Sequence, residues 1–484
     1  MARGPSGNGP NSHSLVSRRH FVTSVGAAGT AVTLAGCVGG DDDPSDDTAD
    51  DVDDGVDDGD EEEPEGEWPD FSGEEIYYLA ESSDREYQEF WQRVANRFQE
   101  ATGAQVTIEF AGHAEGYRDR LIQMVQAGDP PDVTHASLNM ASSLGQQGQL
   151  ADHTEVLEYW EDVWGESFDD QFRILLDGED KYLPLHANIF GNWYRDDVFD
   201  VEPNSWEREL EMAAEHDEGP GGTRGYFMPI RVGLWANDMQ LLTNGWTLGA
   251  QVFDRDDDGE LQVVLDQEGH AELWSEALDH MEELYEYSDD NLDAFYSELF
   301  TALGTESAYQ AHWVGTHLKI FSIDSPVAEH ITETDPAVPE GMDRRQWGNI
   351  QGQAVTSDGN TEVGLEFLKF LAHPENVMGY YFAEDLQQDP ILTSVAEHEL
   401  FAQHWEEMKE GTPWRDSDLK YHRLEESEFV DWGTEVDPVN PRAFEVNVSH
   451  PMGRVVNQAL AEGRDHQEVL EEIAEDLRAD HLEA

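Results

Sequence analysis

The sequence has 484 residues, of which 38% are hydrophobic, and its 27 Lys and Arg against 106 Asp and Glu give a formal net charge of −79 at pH 7. A field this negative excludes nucleic acid and an anionic lipid surface as the main partner. The length allows two or three domains with a large core, and a single cysteine excludes both a disulfide framework and a cysteine-ligated zinc site.

The amino terminus resembles an export and anchoring signal. Ser17-Arg18-Arg19-His20-Phe21 resembles a twin-arginine signal, and the apolar run after it, of about 14 residues, is shorter than the roughly 20 of a membrane span. The run ends in Leu34-Ala35-Gly36-Cys37, which resembles a lipobox with a lipidated cysteine. We expect residues 1–36 to be the signal and Cys37 to anchor the protein at the extracellular face of the cell membrane. A chance cysteine in a leader is the alternative.

An acidic segment follows the expected anchor. Residues 41–67 contain 17 Asp and Glu and no Lys or Arg, so they cannot bury apolar surface and should stay extended through their own repulsion. We interpret residues 37–67 as a disordered tether. Because most of the 106 acids lie elsewhere, the composition predicts a body adapted to molar salt, where the Debye length is about 3 Å. A specific cation-binding surface is the alternative.

The body opens with alternating strand and helix patterns. An apolar run at 76–80 has the length of a strand, and apolar residues at helical spacing follow it until Thr102-Gly103 stops the helix. A second strand (106–110), a second helix (117–125) and a third strand (132–136) complete a β-α-β-α-β order. This order predicts an α/β fold with a parallel sheet, whose ligands bind beyond the carboxyl ends of the strands.

Longer motifs carry a specific resemblance. In chain order they are Phe98 to Val106 (FQEATGAQV), Ala127 to Val133 (AGDPPDV), Gln147 to Leu150 (QGQL), Asp180 to Pro184 (DKYLP), Trp193 to Phe199 (WYRDDVF), Pro203 to Glu207 (PNSWE), Val252 to Asp254 (VFD) and Glu366 to Glu375 (EFLKFLAHPE). The ordered set resembles the extracellular solute-binding proteins of ABC importers, in the maltose-binding-like branch that binds sugars and oligosaccharides. The resemblance covers nearly all of residues 70–484.

The resemblance implies a periplasmic-binding-protein-like fold of two α/β lobes with a ligand cleft between them. We place the amino lobe at 70–186 and 345–392 and the carboxyl lobe at 187–344 and 393–484. Closure of the lobes around a ligand is the mechanism that the resemblance implies. We expect a monomer that needs no cofactor and no metal.

The resemblance also implies where a ligand would lie. It assigns cleft positions to Ser137 and Asn139 after the third strand, to Asn188 on the first crossover, to Trp313 in a loop as a stacking aromatic, and to His450 before the last long helix pair. Loop capping is the alternative for Ser137 and Asn139, hinge packing for Asn188, and a buried core position for Trp313.

Further site candidates come from polar and aromatic residues near predicted strand ends and crossovers. They are Glu81 and Ser82 after the first strand, His186 beside Asn188, Arg231 and Trp235 in the carboxyl lobe, and Gln351 and Gln353 on the returning strand. A sugar site needs aromatic faces for the C–H side of the ring and planar polar groups for the hydroxyls. Helix capping is the alternative for Ser82, and hinge packing for His186.

The sequence lacks the common catalytic motifs and contains only partial matches to metal sites. No Gly-x-Ser-x-Gly elbow, Gly-Lys-Ser/Thr loop or His-Glu-x-x-His helix occurs. The run from Asp254 to Asp258 resembles half of a calcium loop, but Leu265 stands where a bidentate Glu is needed, so we predict an acidic turn, with a bound cation as the alternative. In Tyr380-Tyr381, helical spacing predicts one side chain facing inward and one outward, which disfavours an iron site. Asn447-Val448-Ser449 fits a glycosylation sequon.

We therefore interpret the chain as the extracytoplasmic solute-binding component of an ABC transporter, which binds a sugar or oligosaccharide and delivers it to a membrane permease without catalysing a reaction. Two other classes stay open: a secreted polysaccharide hydrolase, and a binding module that feeds a sensor receptor. Within the binding class, a polyamine, a peptide or a glycerol phosphate is an alternative ligand.

Overall fold

The computed structural model describes residues 68–81, 85–112, 115–231, 235–289, 294, 296–314, 325–383, 388–410 and 428–482. The predicted signal with Arg18 and Arg19, the anchor Cys37, the tether and the site candidate Ser82 lie outside these residues.

Strands and helices alternate along the described chain. The strands are β1 (Glu75–Glu81), β2 (Gln105–Ala111), β3 (Val133–Ser137), β4 (Leu175–Leu176), β5 (Glu179–Asp180), β6 (Leu183–Arg195), β7 (Phe253–Arg255), β8 (Leu261–Val263), β9 (Gln310–Val314), β10 (Ile331–Thr334), β11 (Arg345–Val355), β12 (Asp389–Pro390) and β13 (Glu428–Val430). The helices are α1 (Arg85–Thr102), α2 (Glu115–Ala127), α3 (Leu138–Gln146), α4 (Thr154–Trp164), α5 (Trp206–His216), α6 (Trp235–Leu248), α7 (His270–Tyr285), α8 (Tyr296–Gly304), α9 (Thr361–Leu371), α10 (Pro374–Ala383), α11 (Thr393–Ala396), α12 (Glu399–Glu410), α13 (Ala443–Ser449), α14 (Pro451–Val456) and α15 (His466–Leu477).

The first five elements confirm the predicted α/β fold. β1 pairs in parallel with β2 on one side and with β3 on the other, and α1 and α2 connect the three strands. Helix α1 buries Phe90, Trp91, Val94 and Phe98, whose intervals of one, three and four residues keep them on one face. Each large apolar side chain that is fully buried in this way stabilises the fold by about 1.5–3 kcal/mol. The helix ends at Gly103, whose φ of 77° suits a residue without a Cβ.

Two long strands connect the parallel part of the sheet to the rest of the molecule. The strand order is β10-β6-β11-β3-β1-β2, and β6 spans 13 residues. The first half of β6 pairs with β11 and β12, whereas its second half pairs with β9 and β10, in each case antiparallel. β6 and β11 are therefore shared by both ends of one continuous sheet.

Two hydrophobic cores define the two lobes. One core contains the buried apolar residues up to Ile189, and the other begins at Phe190. The chain returns to the first core between Trp347 and Ile350, and it enters the second core again after Phe429. We call the first body the amino lobe and the second the carboxyl lobe.

One predicted boundary differs from this division. Residues from 393 onward are predicted to belong to the carboxyl lobe, but Val395, Phe401 and Trp405 are buried in the core of the amino lobe. The chain is held there because β12 pairs with β6 at His186 and Ala187. In addition, the backbone N–H groups of Thr393 and Ser394 donate to the Glu166 carboxylate, at 3.1 and 2.6 Å. Among the described residues after Glu410, the chain next joins the carboxyl lobe at β13, which pairs with the start of β11.

His153 is a buried histidine that joins two segments of the amino lobe. Its Nδ1 lies 3.0 Å from the carbonyl oxygen of Ala151, and the backbone N–H of Val355 donates to its Nε2 at 2.9 Å. An imidazole that donates through one nitrogen and accepts through the other is neutral. Burial lowers the pKa of His153 from 6.5 to about 4, because the charged ring would lose its hydration.

We expect this histidine to make folding stability depend on pH. Its folded pKa lies below its unfolded pKa, so its contribution is complete above pH 6.5 and is lost as the pH falls toward 4, by roughly 3 kcal/mol in total. Denaturant unfolding gives the free energy of unfolding of wild type and His153→Gln at each pH between 7 and 4. The loss is the difference between the slopes of these two free energies against pH. The control His404→Gln changes an exposed histidine and should retain the wild-type slope. Equal slopes for all three proteins would contradict the assignment.

Candidate functional site

The carboxyl ends of β1 and β3 bring polar side chains to one edge of the amino lobe. The Oε2 of Glu81 lies 3.4 Å from the Nε2 of His135, and the ring of Tyr117 packs edge-on against His135 at 5.7 Å. Ser137 is the last residue of β3, where the predicted ligand loop begins. Because ligands of parallel sheets bind at this edge, it is the natural wall of a site in the amino lobe.

Side chains on three neighbouring strands continue this wall. Gln351 on β11 is the register partner of Ser137 on β3 and of His186 on β6, so the three residues form a row across the sheet. We call Ser137, Gln351 and His186 the hinge row. Ser137 and Gln351 are partly exposed, and Asn188 lies two residues farther along β6. The buried Oδ1 of Asn188 has no hydrogen-bond partner within the described ranges.

Two predicted site residues on these strands are buried. His186 is buried, and its Nδ1 lies 2.6 Å from the hydroxyl of Tyr380; burial and the nearby His135 hold the pKa of His186 well below its usual value. Gln353 is also buried and accepts a hydrogen bond from the Tyr78 hydroxyl at 2.9 Å. The structure therefore buries both side chains against tyrosines of the amino lobe.

The adjacent tyrosines behave differently from the prediction. Tyr380 and Tyr381 are both buried, whereas the sequence analysis placed one inward and one outward. The Tyr381 hydroxyl donates to the carbonyl oxygen of Leu185 at 2.7 Å, and its ring packs on Phe401 of α12. Helix α10 is thus buried on two sides. The helical pattern of the sequence predicts one buried face and does not reveal a second.

Ser137 and Asn139 are both engaged at the start of α3. The Ser137 hydroxyl accepts a hydrogen bond from the backbone N–H of Met140, so it caps the helix, and it donates to Asn139 Oδ1 at 3.0 Å. The amide of Asn139 is 2% exposed and donates to Asp431 at 3.4 Å. Asn139 therefore lies in a contact between the lobes and is buried there.

Asp431 is a functional candidate that sequence reasoning missed. It follows Phe429-Val430 and precedes Trp432, and a carboxylate inside such an apolar run was the available signal. Burial raises the pKa of Asp431 to about 7, even though the backbone N–H of Gly433 donates to its carboxylate. The Asp431 side chain is 1% exposed, and it accepts the hydrogen bond from Asn139 across the boundary between the lobes.

Helix α6 supplies the opposite wall, from the carboxyl lobe. The Thr247 hydroxyl donates to the carbonyl oxygen of Arg345 at 3.1 Å, and the backbone N–H of Trp347 donates to the Thr243 hydroxyl at 3.2 Å, so α6 and β11 run antiparallel. The eight residues from Thr243 back to Trp235 rise about 12 Å, which equals about four strand residues. From these contacts, α6 extends toward its start in the direction of Gln351.

Aromatic side chains gather at this end of the carboxyl lobe. Trp235, the first residue of α6, is partly exposed, and its ring lies 4.9 Å from that of Trp313 at 47°. Trp313 is 2% exposed and lies within β9, where it also packs edge-on against Phe300; it is not in the loop that the sequence analysis assigned to it. Arg231 is exposed, and its carbonyl oxygen accepts a hydrogen bond from Asn237.

His450 joins α13 to α14 and is held by a carboxylate that sequence reasoning did not single out. Its Nδ1 lies 2.8 Å from Oδ2 of Asp238, which is one helical turn after Trp235 on α6. The other oxygen of Asp238 accepts a hydrogen bond from the backbone N–H of Gly453 at 2.7 Å. Burial raises the pKa of Asp238, and the hydrogen bond with His450 opposes this effect.

The remaining motifs have local explanations. The turn from Asp254 to Asp258 connects β7 and β8, as predicted, and the Asp256 carboxylate accepts hydrogen bonds from the backbone N–H groups of Asp258 and Glu260, both at 2.9 Å. Asn447 of the predicted sequon is partly buried within α13. None of the helices in the described part of the chain is long and apolar enough to cross a bilayer.

Comparison with known proteins gives one family and many structural matches. The sequence profile of the family described as "Bacterial extracellular solute-binding protein" matches residues 82–378. No curated relative is detected by sequence. The structure is similar to a solute-binding protein of an ABC transporter from Thermotoga lettingae bound with α-D-tagatose, with a TM-score of 0.62 and 15% identity over 84% of this chain and 99% of that one.

Two further solved structures show the same architecture. The maltotriose-binding protein of Thermus thermophilus, bound with maltotriose, has a TM-score of 0.60 and 16% identity over 84% of this chain and 99% of that one. The sugar-binding protein MalE of Xanthomonas citri has a TM-score of 0.65 and 13% identity over 84% and 96% of the two chains. At these identities the matches establish the two-lobe α/β fold.

Proposed function

The chain belongs to the family of bacterial extracellular solute-binding proteins, and from this premise we propose that it binds a sugar or oligosaccharide between its lobes and delivers it to an ABC permease. The observation that carries the proposal is Trp235, a partly exposed indole at the start of α6, the helix that packs along β11 in the direction of the hinge row. The sugars bound by the similar structures from Thermotoga lettingae and Thermus thermophilus support the same ligand class.

The chemistry of the two walls suits a sugar. An indole face packs against the C–H side of a pyranose ring, and amide and imidazole groups hydrogen-bond the hydroxyls. Trp235 supplies the face, whereas Gln351, Asn188 and His450 supply partly exposed polar groups. A cationic ligand would need an accessible carboxylate without a partner, but Glu81 is already within ion-pair distance of His135.

The arrangement of carboxyl groups favours binding over hydrolysis. A glycosidase needs two carboxyl groups that face the scissile bond from opposite sides. In the candidate site, Asp238 is engaged by His450 and Gly453, and Asp431 is almost completely buried. We infer that the protein releases its ligand unchanged. A sensor receptor in place of a permease would use the same cleft and differ only in the partner.

The export and anchoring signals belong to the same proposal. Arg18 and Arg19 would direct the folded chain across the membrane, and lipidated Cys37 would hold it at the outer face, with residues 37–67 as an acidic spacer. A lipid anchor keeps a monomeric binding protein close to a membrane permease, which raises its effective concentration there.

Calorimetric titration of the protein in molar KCl with mono- and oligosaccharides tests the proposal, with amino acids, polyamines and glycerol phosphates as comparison ligands. We expect saturable one-to-one binding of a sugar with no product formed. Trp235→Ala should weaken that binding about tenfold, because the loss of a stacked ring costs about 1.4 kcal/mol.

The matched variant Trp235→Phe keeps an aromatic face and should retain most of the affinity. Circular dichroism should show both variants folded, since the indole of Trp235 is partly exposed. Wild-type affinity for the sugar in Trp235→Ala would contradict the placement of the site. Binding confined to the comparison ligands would contradict the ligand class, and release of a cleaved sugar would favour the hydrolase.

A further inference from the structure

His450 adopts a backbone conformation that is unusual for a residue with a side chain. Its φ of 47° and ψ of 55° lie in the left-handed region, between the end of α13 and the start of α14. Such conformations cost free energy and persist where the surroundings enforce them. In this conformation the ring Nδ1 of His450 lies 2.8 Å from Asp238 on α6.

Asp238 does more than cap a helix. Its Oδ1 accepts the backbone N–H of Gly453, in the first turn of α14, and this bond alone would satisfy a capping role. The second oxygen, Oδ2, is committed to the ring of His450. The side chain of Asp238 is 7% exposed, whereas that of His450 is 26% exposed, so the carboxylate lies behind the ring and the ring faces outward.

A buried carboxylate behind an imidazole determines which nitrogen carries the proton. Asp238 has no proton to donate when ionised, so the neutral ring must carry its hydrogen on Nδ1, and Nε2 is left as an acceptor. Within the part of the chain that the structure describes, the contact of Nδ1 with Asp238 is the hydrogen bond of this ring, and Nε2 makes none. Because Asp238 lies one turn from Trp235, this acceptor is placed at the same end of α6 as the indole.

We propose that Asp238 is a positioning residue, which holds His450 in the Nδ1–H tautomer and thereby presents Nε2 as an acceptor to a ligand hydroxyl beside Trp235. The ligand half of this statement rests on the proposed function, whereas the tautomer half concerns the protein alone. A hydroxyl that donates to Nε2 leaves its own oxygen available as an acceptor for a neighbouring amide, so the device selects polyhydroxylated ligands.

The variant Asp238→Asn should invert the tautomer for a geometric reason. The backbone N–H of Gly453 requires an oxygen at the position of Oδ1, so the amide NH₂ of the new asparagine must replace Oδ2 and point at His450. An amide NH₂ can only donate, so Nδ1 must become an acceptor and the proton must move to Nε2. The imidazole then offers a donor where wild type offers an acceptor.

Nitrogen-15 NMR of the histidine rings at pH 8.5, where imidazole is ordinarily neutral, measures the tautomer in the full chain. His450→Gln identifies the resonance by its disappearance. We expect Nδ1–H in wild type and Nε2–H in Asp238→Asn. An Nε2–H ring in wild type, or the same tautomer in both proteins, would overturn the proposal. This measurement needs no ligand, so its failure is distinct from a failure of sugar binding.

Titration with the sugar that binds wild type tests the second half. Asp238→Asn should weaken binding about tenfold, the effect of losing one hydrogen bond and opposing two donors. The control Asp196→Asn changes another aspartate paired with a histidine Nδ1, at 3.2 Å from His330, and should leave the affinity unchanged. Unchanged affinity in Asp238→Asn would overturn the proposal. If that variant does not fold, His450→Gln should show the same tenfold loss, and wild-type affinity there would overturn it equally.

Discussion

Replacement of Gly352 by alanine should lower the free energy of unfolding by about 3 kcal/mol or more and weaken the connection between the lobes. A Cβ at this position would lie 1.9 Å from the carbonyl oxygen of Leu183 and 3.0 Å from the Cα of Pro184. Both obstacles are backbone atoms, which cannot move aside as a flexible side chain does. The register of β11 against β6 also shifts between Gln351 and Gly352, so the two backbones are closest where the strands are already irregular.

Guanidinium unfolding in molar KCl measures the effect of Gly352→Ala. Gly116→Ala is the matched control, since Gly116 is exposed within α2 and a Cβ there meets nothing within 4 Å. That control should gain about 0.5–1 kcal/mol, because alanine loses less backbone entropy in a helix than glycine does. A Gly352→Ala protein within 1 kcal/mol of wild type would show that β6 and β11 separate easily at this point, contrary to the geometry.

Removal of salt should destabilise the protein more than any single substitution considered above. With 106 acidic residues against 27 basic ones, the folded chain concentrates repulsion that the unfolded chain spreads out. At 1 M salt the Debye length is about 3 Å, and at 0.1 M it is about 10 Å, so repulsion then extends to next-nearest carboxylates. We expect a fall from 2 M to 0.1 M KCl to cost several kcal/mol, which lowers Tm by on the order of 10 °C.

Thermal unfolding monitored by circular dichroism across this salt range checks the expectation. Sucrose at high concentration is the control, because it stabilises folded proteins through exclusion from their surface and does not screen charge. Stability that depends on KCl and is not restored by sucrose would identify charge screening as the cause. A Tm that is the same in 2 M and 0.1 M KCl would contradict the interpretation of the chain as salt-adapted.

Local patterns were sufficient for the parts of the fold that are made of neighbouring residues. The alternation of strand and helix from β1 to β3 follows from apolar spacing and from stop signals such as Gly103, and the acidic turn between β7 and β8 follows from its Asp and Gly residues. The pairing of segments that are distant in the chain is not visible in any local sequence pattern. β12 joins β6 across some 200 residues, so the placement of the segment after 392 in the carboxyl lobe was wrong.

The candidate site shows the same limit at the level of single residues. The sequence predicts the strand ends, because Glu81 and Ser137 close apolar runs. It does not show when a side chain is buried by an element from another part of the chain. Asn139 is covered by Asp431, and Trp313 lies within β9 against Phe300. Asp238 was also passed over, since only the fold brings it within 2.8 Å of His450, 212 residues away.

The uninterrupted course of β6 through both lobes has a mechanical consequence. Its registers with β11 on one half and with β9 and β10 on the other prevent sliding, so a change in the angle between the lobes must come from twisting of the shared strands. Groups near the axis of such a twist move little, and groups far from the axis move over larger distances. His186 and Gln351 lie on the paired segments of these two strands, whereas Glu81 ends β1, which β3 separates from β11. We therefore expect the hinge row to move less than Glu81 when the lobes close around a solute.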